Sequence, residues 1–199
     1  SDGDDNLIYG RIHQVHSFGW PHPKKVIEDI LFKDIIVMPG LMTIKKQIFD
    51  QVGGFDENLS GYEDDDLFLR LFEKGKIFYL PVPTLRWRMY GDNYSFSHRM
   101  LTSRTYYWKK LLRNYADNGA NIFRLRMISV RFFWQFLNQS LEQYRAGKGL
   151  NNKNLDGARE IVPYLPKFQR VLFTVAFMFP DKYVIPTMIR VERLFRNLQ

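Results

Sequence analysis

The chain contains no cysteine. Disulfides and thiolate metal sites are therefore excluded, and a cytoplasmic location agrees with that absence. It also lacks an apolar run of the roughly 20 residues that cross a bilayer. The longest such stretch, Val171 to Phe179, ends at Pro180. Histidine is scarce, and His13, His16 and His22 follow no spaced metal motif. They read as strand and loop residues, with His13 and His16 able to line a cleft. Acidic residues are rare in the second half. Residues 99–199 carry 18 Lys and Arg against 6 Asp and Glu, whereas residues 1–98 carry 11 against 15. This contrast underlies the net charge of +8 and divides the chain near residue 98. Two domains are expected, 1–98 with alternating strands and helices and 99–199 basic and helical. At 199 residues, with 45% hydrophobic and 16% aromatic content, the chain can bury a core and is not of disordered composition.

What is present is concentrated in one motif. Gly53-Gly54-Phe55-Asp56-Glu57 is followed by Gly61-Tyr62-Glu63-Asp64-Asp65-Asp66-Leu67-Phe68-Leu69-Arg70. Two glycines force a turn, a short polar loop follows, and four carboxylates stand in a row. Like charges this close repel one another. Such a run marks a metal site, a general base, or a helix start where unpaired backbone N–H groups tolerate negative charge. Leu67, Phe68, Leu71 and Phe72 recur as one helical face, and Gly75 stands where a C-terminal cap belongs. The spacing therefore predicts a helix whose first turn holds the carboxylates. A carboxylate kept ionised there can accept a proton from a hydroxyl nucleophile. The other reading is a solvated, capped surface helix.

The motif resembles the acceptor-side signature of the inverting glycosyltransferases of family 2, which have the GT-A fold. The resemblance is close over residues 53–70 and looser from about 7 to 97. Asn6-Leu7-Ile8-Tyr9-Gly10 resembles the strand that follows the donor-binding half. Residues 38–49 resemble the strand and helix leading into the double glycine, and Lys76–Pro81 the strand after the acidic helix. Arg86-Trp87-Arg88, with Ser95 and Ser97 beyond, resembles the family's closing loop. The fold class implied is α/β: the C-terminal part of a GT-A (Rossmann-like) domain, then an all-helical C-terminal region.

The resemblance also implies roles. Asp64 takes the place of the catalytic base, and Glu63 orients the acceptor or the base. Asp66 serves structure. Tyr62, Trp87 and Arg88 are candidate acceptor contacts through aromatic faces and guanidinium donors. The implied substrates are a nucleotide-sugar donor and a glycan or lipid-linked acceptor of cell-envelope type. A divalent metal, Mn or Mg, is implied for the complete enzyme, with its ligands outside this chain. Asp2-Gly3-Asp4 fits the Asp-x-Asp pattern of such a site, but Leu7 follows with no room for the intervening helix. A polar loop is the alternative reading. Family members often place a histidine after the closing arginine, where this chain has Tyr90. Tyrosine is a poor ligand for such an ion, and His98 would substitute only if its loop folded back. The donor half has no counterpart in these residues, so a C-terminal fragment is expected, inactive alone.

In the second domain, Phe123, Met127, Val130, Trp134, Leu137, Leu141 and Tyr144 form one apolar stripe. Leu125, Ile128, Phe132 and Phe136 form another beside it. The helix should stop at Gly147-Lys148-Gly149. Shorter helices are expected over 156–162, 168–179 and 182–198, separated by prolines. The last is basic and amphipathic. It either lies on an anionic membrane, placing the protein peripherally at the inner face, or packs on its own domain. A pI near 9.6 permits nucleic-acid binding. No recognised module is present, however, and the aromatics follow core spacing, so none is expected. A non-catalytic docking or oligomerisation module is the alternative function.

Overall fold

The computed structural model describes residues 24–33, 39–78, 80, 82, 98–117, 120–145, 147 and 152–196. Helix α1 is Glu28–Leu31, and a 3-10 turn spans Pro39–Leu41. Then come α2 (Lys46–Gln51), α3 (Glu63–Lys74), α4 (His98–Tyr115) and α5 (Ile122–Arg145). Helix α6 is Asn152–Ile161, followed by a 3-10 turn at Val162–Tyr164, α7 (Lys167–Ala176) and α8 (Asp181–Arg196). The chain divides into two compact units, 1–107 and 108–199, and the division falls within α4.

The α/β expectation is corrected. Among the described residues the structure is 72% helical and shows no strand or sheet. Met42–Lys45 has no ladder, and neither do Lys76, Ile77 and Phe78. A strand is stable only when a neighbour satisfies its N–H and C=O groups and covers its apolar face. Among the described residues no such neighbour accompanies them, and Phe78 is 90% exposed. The strand expected at Asn6–Gly10 lies outside the described residues, as do Met38, Tyr79 and Pro81.

In the first unit, Leu67, Phe68 and Leu71 of α3 form a buried cluster. Met42, Ile44, Ile48, Phe49 and Val52 pack against it from α2 and its flanks. The turn between α2 and α3 needs its glycines. Gly53 and Gly54 have φ of +83° and +67°, and a Cβ on Gly54 would lie 3.3 Å from the Phe49 ring. Helix α3 ends as expected, with the Gly75 N–H donating to Leu71 O at 3.0 Å. Gly75 is extended there and not left-handed.

In the second unit, α5 buries Ile128, Phe132, Phe133, Phe136, Leu137 and Leu141. The face centred on Ile128, Phe132 and Phe136 is thus the inner one. Phe123, Trp134 and Tyr144 of the longer stripe are exposed. Helix α6 packs on α5 through Gly157, where a Cβ would sit 2.6 Å from the Phe136 ring. Trp108 donates to Ser129 Oγ at 3.3 Å and meets the Tyr164 ring edge-on. Arg159 pairs with both Asp156 and Asp181, joining α6 to the start of α8.

Candidate active site

The site is assembled from the loop that enters α3. Asp56 Oδ1 accepts both the backbone N–H and the side-chain amide of Asn58, at 3.0 and 2.9 Å. This Asx-type turn closes the polar loop after the double glycine. Leu59 and Gly61 then turn inward and are buried. Ser60 is tied to Ser103 of α4 twice: its N–H donates to Ser103 Oγ at 3.1 Å, and the two hydroxyls lie 3.2 Å apart.

Tyr62 is the residue from which α3 starts. Its φ is +66°, a left-handed conformation that a bulky side chain adopts only when its surroundings impose it. Those surroundings come from α4. Arg104 Nε donates to the Tyr62 hydroxyl at 2.8 Å, and the Tyr107 ring stacks on the Tyr62 ring with centroids 5.4 Å apart. Ser103, Arg104 and Tyr107 share one helical face. They hold the loop and the first residue before α3 as a unit.

All four carboxylates lie in the first turn of α3, as the spacing predicts. The Asp66 N–H makes the first helical bond, to Tyr62 O. Asp64 is half-buried and its Oδ1 accepts the Asp65 N–H at 2.8 Å, satisfying one of the orphan donors of the helix start. Asp65 and Asp66 are buried. Asp66 is bound by Arg70 one turn on, with Nε at 2.9 Å and Nη2 at 2.7 Å. The same guanidinium donates to the carbonyls of Val52 and Gly54. Asp66 thus anchors the double-glycine turn to α3. Glu63 differs from its neighbours: its Oε2 is buried and has no hydrogen-bond partner.

These carboxylates do not converge on a cation. Among the described residues, no group of three or more His, Asp or Glu is placed to hold a metal ion. Asp2, Asp4, Trp87 and Arg88 lie outside the described residues. His98 is the first residue of α4, with its side chain outside them. Of the residues expected at the site, the structure therefore brings together Tyr62, Glu63 and Asp64. Ser103, Arg104 and Tyr107 were not legible as site residues, because no motif marks them. Their spacing along one face of a helix is the only signal they carry.

A family described as "Glycosyltransferase like family 2" matches residues 23–131, which include the double-glycine turn, the acidic helix and α4. No curated protein and no solved structure matches the chain.

Proposed function

We propose a function from one premise: this chain belongs to the glycosyltransferase-like family 2. Membership implies a transferase acting on a sugar donor and an acceptor. In our reading the donor is a nucleotide sugar, the acceptor is a hydroxyl of a glycan or lipid-linked glycan, and transfer inverts configuration. Asp64 is the general base. It takes the proton of the acceptor hydroxyl as that oxygen bonds to the anomeric carbon. The bond from that carbon to the nucleotide diphosphate breaks on the opposite face, and the diphosphate leaves with the electron pair. A divalent ion, Mn or Mg, would stabilise that leaving charge from ligands other than the described carboxylates. The protein would work at the cytoplasmic face of the membrane, on cell-envelope acceptors.

The observation that supports this reading most is the position of Asp64. It stands in the first turn of a helix whose entry is clamped by Arg104, Tyr107 and Ser103, with its rotamer held by the Asp65 N–H. A base must be held in line with its proton, and a rigid helix start does so better than a free loop. The helix start also favours the ionised carboxylate, the form a base requires. Glu63 fits the orienting role. A buried carboxylate oxygen without a hydrogen-bond partner is costly. A second acceptor hydroxyl would satisfy it.

The test is Asp64→Asn in the natural protein, assayed against a panel of nucleotide sugars. Transfer should fall by about 10²–10⁴ while nucleotide-sugar binding persists. Retained transfer refutes the assigned base. Glu63→Gln should raise KM for the acceptor more than it lowers kcat.

A further inference from the structure

We propose that α7 is an interfacial helix that lays its outer face on an anionic lipid surface. Phe168, Val171, Leu172, Val175, Met178 and Phe179 recur at spacings of three and four, along α7 and the turn that follows it. All six are exposed, Phe168 and Met178 at 79%. The residues that α7 packs inward lie on a different face. Phe173 meets Phe133 with ring centroids 4.4 Å apart and meets the Trp134 ring edge-on, and Phe177 also reaches Phe133. The helix is therefore apolar on two sides, and its own unit covers one of them. Six large apolar side chains in one contiguous stripe are more than an isolated soluble surface usually presents.

Charge identifies the occupant. Lys167 borders the stripe one turn before Val171, Arg170 is an exposed cation on the flank towards Phe173, and α7 contains no acidic residue. Neither cation makes an ion pair among the described residues. Lys182, at the start of α8, adds a third cation, set over the exposed ring of Tyr183. The nearby acid Asp181 is engaged by Arg159. An apolar stripe bordered by cations complements a bilayer interface, where hydrocarbon lies beneath negatively charged headgroups. A second copy docked across the same stripe would bring like charges together. No described helix is long and apolar enough to cross a membrane, and ten residues of helix span only about 15 Å, so α7 lies in the plane of the interface. This is not the surface that the pattern of 182–198 marks. Val184 and Ile185 of that segment are buried within their own unit. Nor does the inference depend on the role of Asp64.

Co-sedimentation with phosphatidylcholine vesicles, with and without phosphatidylglycerol, tests the proposal. The chain should pellet with the anionic vesicles at low salt and stay in solution with the neutral ones. Phe168→Ser combined with Met178→Ser should lower the partition coefficient at least about tenfold, since it removes the most exposed apolar groups. Lys167→Gln combined with Arg170→Gln should lower it by about the same factor, as should high salt. All four positions are on the surface, and circular dichroism checks that each pair of substitutions leaves the helices folded. Failure to pellet with anionic vesicles overturns the proposal, and so does equal recovery with neutral ones. It is also overturned if F168S/M178S leaves partition unchanged. A vesicle-indifferent dimer that F168S/M178S dissolves would assign the stripe to self-association instead.

Discussion

Arg104 donates from Nε to the hydroxyl of Tyr62 at 2.8 Å, across 42 positions of chain. Both residues are buried, and Tyr62 is the left-handed residue from which the acidic helix starts. The conformation of the helix entry thus depends on a side chain from α4. Arg104→Met should cost about 1.5–3 kcal/mol, the usual value of a hydrogen bond to a charged group. It should also speed hydrogen exchange at the amides of Asp64, Asp65 and Asp66. Urea unfolding and amide exchange read the two effects. Unchanged exchange at those amides would mean that the loop holds its own shape.

Arg70→Lys should destabilise the first unit although it keeps the charge. Lysine can still pair with the buried Asp66 carboxylate, but it has no fork to reach the Val52 and Gly54 carbonyls at the same time. The expected loss is about 1–3 kcal/mol, read as a lower midpoint in thermal unfolding. A midpoint equal to that of the parent would show that the carbonyl contacts contribute nothing.

Gly157→Ala tests the close approach of α6 to α5. Alanine favours a helix over glycine by about 1 kcal/mol. The new methyl, however, would fall 2.6 Å from a Phe136 ring that is itself fully buried. Overpacking of that kind costs about 1–3 kcal/mol, so destabilisation should win. Adding Phe136→Leu should recover part of the loss. If G157A alone is stabilising, the helices can move apart without penalty.

Asp29 supplies a pH dependence. Its carboxylate accepts the backbone N–H groups of Lys25 and Val26 ahead of α1. These bonds, the Lys25 one foremost, and the nearby Lys24 and Lys33 hold its pKa below the ordinary value despite partial burial. A depressed carboxylate pKa means that the stabilisation is fully present above the unfolded-state value. It is lost as pH falls through the folded value. The stability difference between the parent and Asp29→Asn should therefore be constant at neutral pH and shrink in acid, below the usual carboxylate range. A difference that stays constant through that range would exclude Asp29 as its source.

Several features were legible because their causes are local. The acidic run with Gly75 marked α3 at both ends, and all four carboxylates do lie in its first turn. Gly147 stopped α5, and the prolines separated the later helices. Of the site, Tyr62, Glu63 and Asp64 were legible as neighbours in one motif. Ser103, Arg104 and Tyr107 were not, because nothing in their own surroundings refers to a loop some forty positions earlier. The strand that the resemblance implied over Lys76–Pro81 is absent from its described residues for a related reason. A run of apolar residues makes a strand only where another strand lies beside it.

By itself, then, the sequence marked both ends of α3 and the breaks between the later helices, since glycine turns and proline breaks act within a few residues of chain, although α6 begins at Asn152, ahead of the expected 156. It also determined the family, through a motif of contiguous residues. Only the tertiary structure decided which apolar face is buried. The Ile128–Phe132–Phe136 face of α5 went inward and Phe123, Trp134 and Tyr144 outward, while α7 kept a second apolar face exposed. Periodicity shows that a face is apolar, but burial depends on what packs against it. The same holds for Tyr62, whose strained conformation is imposed by Arg104 and Tyr107 from another helix.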